Sequence, residues 1–386
     1  MLLTTYTSLA MTATLTIAER TYTLPELADP ALAALPAWDD NQRAALHFCA
    51  AWLRGDMAFT VHTSGSTGAP KPITLTRGQM ESSARATAAA LGLQAGMTAL
   101  VCLPVRYIAG QMMLVRGLVL GLATHLVEPD GDPLARWPVH NPLDFTAMVP
   151  LQLATTLDSL NDYANILTPR CTILVGGAAV SAELEARAQG SVASVYHTYG
   201  MTETATHIAL RRLNGSRASA WFQPLPGVEV ATDARGCLRV RGAMTRGEWV
   251  QTNDGVEFEA TPAGTFRFLG RWDNVINSGG VKVQSETVER AVEQAWLAAE
   301  MPARRGIVLG LPDARLGQAV SLIIEGAPLP AADETALLRQ IDARLDRFQR
   351  PRRVYYLPQL PETPGGKVDR AGAERETMRT AFTTGQ

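Results

Sequence analysis

The sequence predicts a mixed α/β protein: a large N-terminal domain of mainly parallel layered sheets plus an antiparallel β unit, followed by a small α+β C-terminal domain. Three observations carry this. Between residues 59 and 197, short apolar runs alternate with stretches of helical composition, as when crossover helices join parallel strands. From about 207 to 270 the segments become short, alternating and divided by Gly, Asn or Pro, the texture of antiparallel strands. After GRWDN at 270–274 a third texture mixes strand-like and helix-like segments.

In chain order, residues 1–58 read as an irregular or partly helical opening segment. The strands expected next are FTVHT at 59–63, ALVCL at 99–103, THLVE at 124–128, FTAMV at 145–149, TILVG at 172–176 and VASVYH at 192–197. Helices are expected at Gln79–Leu91, Ile108–Leu120 and Ala182–Gln189. HIALRRL, VEVAT, CLRVRG, WVQT and TFRFLG make up the antiparallel unit. VKVQ, a helix over Glu286–Trp296, IVLGL, AVSLII, a helix at 334–345 and RVYYL make up the last domain, with the boundary near 271–275.

A chain of 386 residues has room for two or three domains. Its 35 basic and 37 acidic residues give a net charge of −2, so no basic excess points to nucleic acid. Cys49, Cys102, Cys171 and Cys237 are far apart and lack zinc-site spacing, which reads as reduced core thiols in a cytoplasmic protein. The first residues lack the basic region of a signal peptide, and Met11 is a second candidate start. The most apolar stretch, from Met112, is interrupted by Arg116 and His125, which suits a buried helix feeding a strand better than a membrane span.

Chemistry concentrates in a few motifs. TSGSTGAPK at 63–71 packs Ser, Thr, Gly and a Lys into one turn. It is not a Walker loop: Gly65 and Gly68 are too close, Lys71 has no following Ser or Thr, and ITLT after it reads as the second strand of a hairpin. Glycines let backbone N–H groups converge on an anion, and hydroxyls and Lys add donors and charge. The residues alone leave a flexible turn and a phosphate cradle equally open. Four further segments follow: YGMTET at 199–204, TNDG at 252–255, GRWDNVINSGGVKV at 270–283 and PETPGGKVDR at 361–370. Each has a plain reading on its own, such as a hairpin turn at TNDG or a solvent-facing Lys367.

Taken in order, the five motifs resemble those of the adenylate-forming (AMP-binding) superfamily of acyl-CoA synthetases, peptide-synthetase adenylation domains and luciferases. The resemblance implies a two-step ligase using ATP, Mg²⁺ and coenzyme A. A carboxylate attacks the α-phosphate to give an acyl-adenylate and pyrophosphate, and a thiol then displaces AMP. It implies that Thr63, Ser64, Gly65, Ser66, Thr67, Gly68 and Lys71 hold the β- and γ-phosphates. Gly176, Gly177 and Ala178 would pass the adenine, Tyr199 would stack on it beside Gly200, and Thr202 would contact the α-phosphate. Glu203 would hold the metal, Asp254 would accept the ribose hydroxyls, and Arg271 would pair with ribose or phosphate. Lys367 would serve adenylation, and Asp273 would be the hinge between an N-terminal domain at 1–272 and a mobile C-terminal lid at 273–386. Gly279 and Gly280 would line the pantetheine tunnel. Asn253 and Asn277 depart from the usual pattern, which puts contacts from Asn277 in doubt.

Within the superfamily, LPVRYIAGQMMLVRGLV at 103–119 and YGMTETATHIALR resemble the o-succinylbenzoate–CoA ligases of menaquinone biosynthesis. That substrate has a second carboxylate, for which Arg106, Tyr107 and His207 are candidates; His62 reads as structural. The 62 residues before the glycine loop are fewer than the family's usual number, which leaves a homodimer open. An adenylating enzyme that takes another acid or loads a carrier protein, and a non-catalytic nucleotide binder, are the competing expectations. Lys367 argues against the binder, which has no need of it.

Overall fold

The structure, a computed structural model, describes residues 12–62, 72–137, 141–260, 264–302, 304–362 and 368–383. At its centre lies a nine-stranded sheet. In spatial order its strands are Gln223–Pro224, His207–Arg212, Ser194–Gly200, Leu167–Val175, Leu143–Met148, Thr98–Val101, Ala123–Leu126, Thr14–Ile17 and Arg20–Thr23. The middle six pair in parallel and the flanking strands antiparallel, so the expected parallel sheet is present.

Two expectations need correcting. The opening segment is partly helical, as expected, but it also holds strands. Thr14–Ile17 and Arg20–Thr23 add two strands to the main sheet, and Asp40–Arg54 is a full helix. HIALRRL does not join the antiparallel unit: His207–Arg212 lies against Ser194–Gly200 in the main sheet, buried on both faces over most of its length. The separate antiparallel sheet comprises Glu229–Thr232, Cys237–Arg241, Val250–Phe258 and Phe266–Arg271. A five-stranded C-terminal sheet holds Val275–Ser278, Val281–Gln284, Gly306–Asp313, Gly317–Glu325 and Arg353–Leu357. Ala58–His62 and Pro72–Thr76 form the expected hairpin.

Helix ends follow local chemistry. Asp39 accepts from the Gln42 backbone N–H at 2.7 Å while the Gln42 side chain accepts from Asp39 N–H at 3.2 Å, and the helix stops at Gly55 with φ 94°. Thr76 and Gln79 form the same reciprocal cap for Arg77–Leu91, which ends at Gly92. Gln79 also donates to the Met244 carbonyl at 2.9 Å, tying this helix to the antiparallel sheet.

The helix Ile108–Leu120 is apolar almost all round, and Met112, Met113 and Val115 are wholly buried. One core joins Trp52, Met80, Met113, Val240 and Phe266, so the helices and the antiparallel sheet share packing with the main sheet. Each such side chain contributes roughly 1.5–3 kcal/mol on burial. A separate core around Val288, Trp296, Leu322 and Ile341 supports the C-terminal sheet. That sheet's first helix, Ser285–Ala298, meets the main body through Glu293, which accepts from Ala182 N–H at 3.1 Å, and Thr287, which donates to the Leu269 carbonyl at 3.1 Å. Gly270, at the strand end beside Glu286, has φ 152°, a backbone conformation that residues with side chains rarely adopt.

The four cysteines are free and buried, and burial pushes Cys49 and Cys102 up to about 12, leaving inert thiols. Among the described residues no helix is long and apolar enough to cross a membrane.

Candidate active site

Parallel sheets present their ligand sites at the carboxyl ends of their strands. Leu167–Val175 and Ser194–Gly200 are parallel neighbours, with Val175 opposite His197. Their carboxyl ends bring Gly176-Gly177-Ala178 beside Thr198-Tyr199-Gly200. Close approach explains the glycines. A Cβ on Gly176 would meet Thr198 Oγ1 at 2.2 Å, and Gly177 adopts φ 83°. A Cβ on Gly200 would lie 2.3 Å from the Thr206 carbonyl oxygen and 2.4 Å from His207 Cα.

Thr202–Thr204 is a short 3₁₀ turn at this strand end. The fully buried Ala205 follows with φ 63° and ψ −58°, and Thr206 N–H donates to the Thr204 carbonyl at 2.8 Å. That is a γ-turn in a conformation costly for a residue with a side chain. It turns the chain sharply back into His207–Arg212. Glu203 remains exposed on the turn, and among the described residues its carboxylate forms no ion pair. Such a free, hard oxygen donor fits a magnesium ion that keeps waters and phosphate oxygens as its other ligands. The described residues contain no group of three or more His, Cys, Asp or Glu able to hold a metal by themselves.

Tyr199, Asp254 and Arg271 come together from three elements. The Tyr199 hydroxyl donates to Asp254 Oδ2 at 2.5 Å, and Arg271 Nη1 lies 3.9 Å from Oδ1. TNDG is not a turn: Asp254 sits inside the strand Val250–Phe258, opposite Arg271. Burial, then the Asp254 charge and the hydrogen bond to it, push the Tyr199 hydroxyl far above its ordinary value, so it stays protonated. Its ring packs among Phe222, Phe266 and Phe268. Asp273 lies in the turn Trp272–Asn274, receiving Arg271 at 3.1 Å and Asn253 at 3.4 Å.

The candidates for a second carboxylate do not converge. Arg106 stacks on Tyr107 at 4.8 Å, and both are exposed, Tyr107 to 41%. His207 is buried in another wall, with Nε2 3.1 Å from Thr87 Oγ1. Burial, then the nearby Arg116 charge, hold His207 well below its ordinary value, so its imidazole is neutral. The residue that sequence reasoning missed is Arg116, noted there only as a break in an apolar stretch. It is 2% exposed, and its Nη2 donates to Thr206 Oγ1 at 3.2 Å, where Ser83 Oγ adds a contact at 3.0 Å. Its Nε is buried without a partner, and among the described residues no carboxylate pairs with it. Burial pushes its guanidinium down to about 10. An Arg in the middle of an apolar helix was itself the available signal, since such a charge stays buried only for a reason.

Other assigned positions are less informative. Gly279 and Gly280, with φ 59° and 83°, are the two-residue loop joining Val275–Ser278 to Val281–Gln284, and that tight turn accounts for both. The glycine loop Thr63, Ser64, Gly65, Ser66, Thr67, Gly68 and Lys71 lies outside the described residues, as does Lys367. Their described flanks are the hairpin end at His62 and Pro72, and the bridge between Glu362 and Val368.

Comparison with known proteins gives the same outline. The family model described as AMP-binding enzyme matches residues 9–248. A probable 2-succinylbenzoate–CoA ligase of Mycobacterium tuberculosis is 30% identical over 368 residues, covering 90% of this chain and 91% of that protein. A 2-succinylbenzoate–CoA ligase of Bacillus cereus is 26% identical, covering 80% of this chain and 67% of its own. Among solved structures, an acyl-CoA synthetase (AMP-forming)/AMP-acid ligase II-like protein from Dyadobacter fermentans is 38% identical with TM-score 0.59, covering 91% of this chain and 98% of that one. The o-succinylbenzoate coenzyme A synthetase of Bacillus subtilis in complex with AMP shares the fold, with TM-score 0.74 at 19% identity over 96% of this chain and 97% of that one.

Proposed function

The chain belongs to the AMP-binding enzyme family, and from that premise we propose that this AMP-forming acid–CoA ligase acts on o-succinylbenzoate. The observation that carries the substrate is Arg116. A fully buried guanidinium with an unpartnered Nε and, among the described residues, no carboxylate beside it costs stability. A dicarboxylic substrate supplies the missing anion. Thr206, which Arg116 touches, lies two residues beyond the turn Thr202–Thr204, so the cation sits near the wall that would meet the α-phosphate. The named relatives carry the same substrate in their descriptions.

In the proposed first step a carboxylate oxygen of the acid attacks the α-phosphorus. The bond to the bridging oxygen breaks, and pyrophosphate leaves with that electron pair. Thr202 would orient the α-phosphate, Asp254 and Arg271 the sugar, and the loop at 63–71 the departing phosphates. Lys367 would neutralise charge between the two reacting anions, as a compact cation on a flexible stem can. Glu203 would hold Mg²⁺, which when bound supplies charge compensation on the phosphate oxygens. In the second step the coenzyme A sulfur attacks the acyl carbon and AMP leaves. Asp273 is the proposed hinge between domains at 1–272 and 273–386, and Gly279-Gly280 the proposed edge of the thiol's path.

The test is pyrophosphate release with ATP and Mg²⁺ across o-succinylbenzoate, benzoates and fatty acids, with and without coenzyme A. Release with o-succinylbenzoate, and a thioester once coenzyme A is added, is the expected result. Release with another acid alone refutes the substrate and keeps the ligase. A thioester formed on a carrier protein and never on coenzyme A refutes the thiol.

A further inference from the structure

Positive charge is spread thinly along this chain, with 35 basic residues in 386, except in one stretch. Residues 339–353 read RQIDARLDRFQRPRR, six arginines against two aspartates. The helix Ala331–Asp342 ends inside this stretch, and the strand Arg353–Leu357 begins at its last residue. The connecting turn is held from within. Leu345 is buried in the C-terminal core, Arg350 Nε donates to the Leu345 carbonyl at 3.2 Å, and Arg352 N–H donates to the Val320 carbonyl at 2.7 Å. Its outer side is left to solvent. Arg347 and Arg352 are exposed and form no ion pair among the described residues. Between them Phe348 stands 53% exposed.

The place of this turn gives it meaning. Arg353 pairs with Asp313 at 2.8 Å, and Asp313 opens the turn into the strand Gly317–Glu325. Gly279 N–H donates to the Leu316 carbonyl of that same turn at 2.9 Å. Ser278 lies opposite Gly317, and Arg353 opposite Ser321 on the parallel neighbour. Four steps along the strand, about 13 Å, separate the two pairings. The arginine-rich turn and Gly279-Gly280 thus sit at one end of one sheet, within reach of a single extended thiol arm.

We propose that the turn at 343–352 binds the phosphorylated nucleotide end of coenzyme A, with Arg347 and Arg352 on its phosphates and Phe348 against its adenine. Guanidinium forks suit phosphate oxygens, and an exposed ring offers a base a stacking face. The inference rests on the reading of coenzyme A as the thiol.

The experiment measures thioester formation with coenzyme A, 3′-dephospho-coenzyme A and pantetheine, which carry the same thiol arm, using an acid that releases pyrophosphate. In the wild type, kcat/KM should fall about 10-fold on loss of the 3′-phosphate, the loss of charge-assisted hydrogen bonds, and further with pantetheine. The double variant Arg347→Gln/Arg352→Gln should bring coenzyme A to within about 3-fold of its dephospho form, through KM rather than kcat. Phe348→Ala should narrow the gap between dephospho-coenzyme A and pantetheine. Arg339→Gln removes the same charge from the preceding helix and should shift these ratios less than about 2-fold, as an exposed charge outside the contact does. Each ratio is taken within one protein, so a general loss of activity cancels. Equal kcat/KM for the three thiols in the wild type overturns the inference even if no variant folds. So does a double variant that keeps the wild-type ratios, or that lowers all three thiols by one factor. Ratios flattened as much by Arg339→Gln would leave only a diffuse field and overturn it too. In each of these cases the coenzyme A reading stands. A protein that forms no thioester with coenzyme A, or loads only a carrier protein, fails that reading and the inference with it.

Discussion

Replacing Arg116 with Met should move stability and activity in opposite directions. The guanidinium is wholly buried, and burial lowers it from 12.5 to about 10. At 1.36 kcal/mol per unit, that is about 3 kcal/mol of preference against the charged form. Its hydrogen bonds offset only part of this, because among the described residues Nε has no partner and Nη1 meets the Met113 sulfur alone, at 3.7 Å. Methionine fills a similar space, suits a helix and needs no partner. Arg116→Met should therefore stabilise the free protein by about 1–3 kcal/mol, read as a higher urea midpoint at unchanged slope. The same change should cost o-succinylbenzoate about 10- to 100-fold in kcat/KM, the loss of a charged hydrogen bond worth about 1.5–3 kcal/mol. The analogue with the ring carboxylate removed, 4-oxo-4-phenylbutanoate, should lose less than about 3-fold, since it makes no such contact. A destabilised Arg116→Met protein that loses both acids equally would make Arg116 a structural residue and refute the reasoning.

Acid should weaken the fold before it reaches the carboxylates. His197 is held at about 3 by burial, then by the charges of Arg211 and Arg290, and His207 lies well below its ordinary value too. The unfolded chain then binds more protons, so this stability is whole above pH 6.5 and is lost as pH falls below it. Each histidine should cost about 1.4 kcal/mol by pH 5.5; urea midpoints at pH 7.5 and 5.5 measure it, and His197→Gln should remove about half the difference. Gly200→Ala puts a Cβ 2.3 Å from the Thr206 carbonyl oxygen, so the strands must separate. A loss of about 1–3 kcal/mol is expected, with adenylate formation reduced along with it; an unchanged urea midpoint would mean that the strand pair yields freely. Lys367→Ala should lower pyrophosphate release at least 100-fold, about 3 kcal/mol of transition-state stabilisation, while thioester formation from supplied acyl-adenylate falls less than about 3-fold. Equal loss in both half-reactions would remove the lysine's special role in the first.

The sequence made the long, strongly patterned elements legible. The helix Ile108–Leu120 begins and ends where its apolar run and Gly121 place it. The first hairpin was hidden for a physical reason: its loop, Ala18-Glu19, takes positive φ at both residues without the Asn or Gly that usually announces such a turn. His207–Arg212 was misassigned because its short apolar run fits an antiparallel unit as well as an antiparallel strand flanking a larger parallel sheet, and only tertiary pairing decides. At the candidate site, ordered motifs singled out Tyr199, Asp254 and Arg271, which the fold brings together. They gave no hint of the hydroxyl–carboxylate bond, because these residues, 55 positions apart on strands of two different sheets, meet only through the packing of one sheet against the other. They also drew attention to exposed Arg106, which precedes the helix Ile108–Leu120, and away from Arg116 buried within it, although a buried charge is the more informative of the two.

The stretch from Gly200 to His207 departs from ordinary folding preferences three times. Gly200 lets two backbones approach closer than any side chain permits, Ala205 holds a γ-turn that a residue with a Cβ resists, and Thr206 binds a buried cation that no carboxylate among the described residues pairs with. Independent defects of this kind would be removable one at a time by substitutions that stabilise the fold. Here they are geometrically linked. The close approach of Gly200 to Thr206 requires the sharp return at Ala205, and that return presents Thr206 to Arg116. Such a chain of costs persists where the surrounding core over-determines it, and Ile208, Ala209 and Leu210 are buried immediately beyond. The consequence is mechanical: an anion that pairs with Arg116 bears on Thr206, and through the γ-turn on Thr202 and Glu203. Thr206, which touches the cation proposed to meet the acid, and Thr202 and Glu203, proposed to meet the phosphate and metal, thus belong to one short segment, an economical way to hold two anions at a fixed separation for reaction.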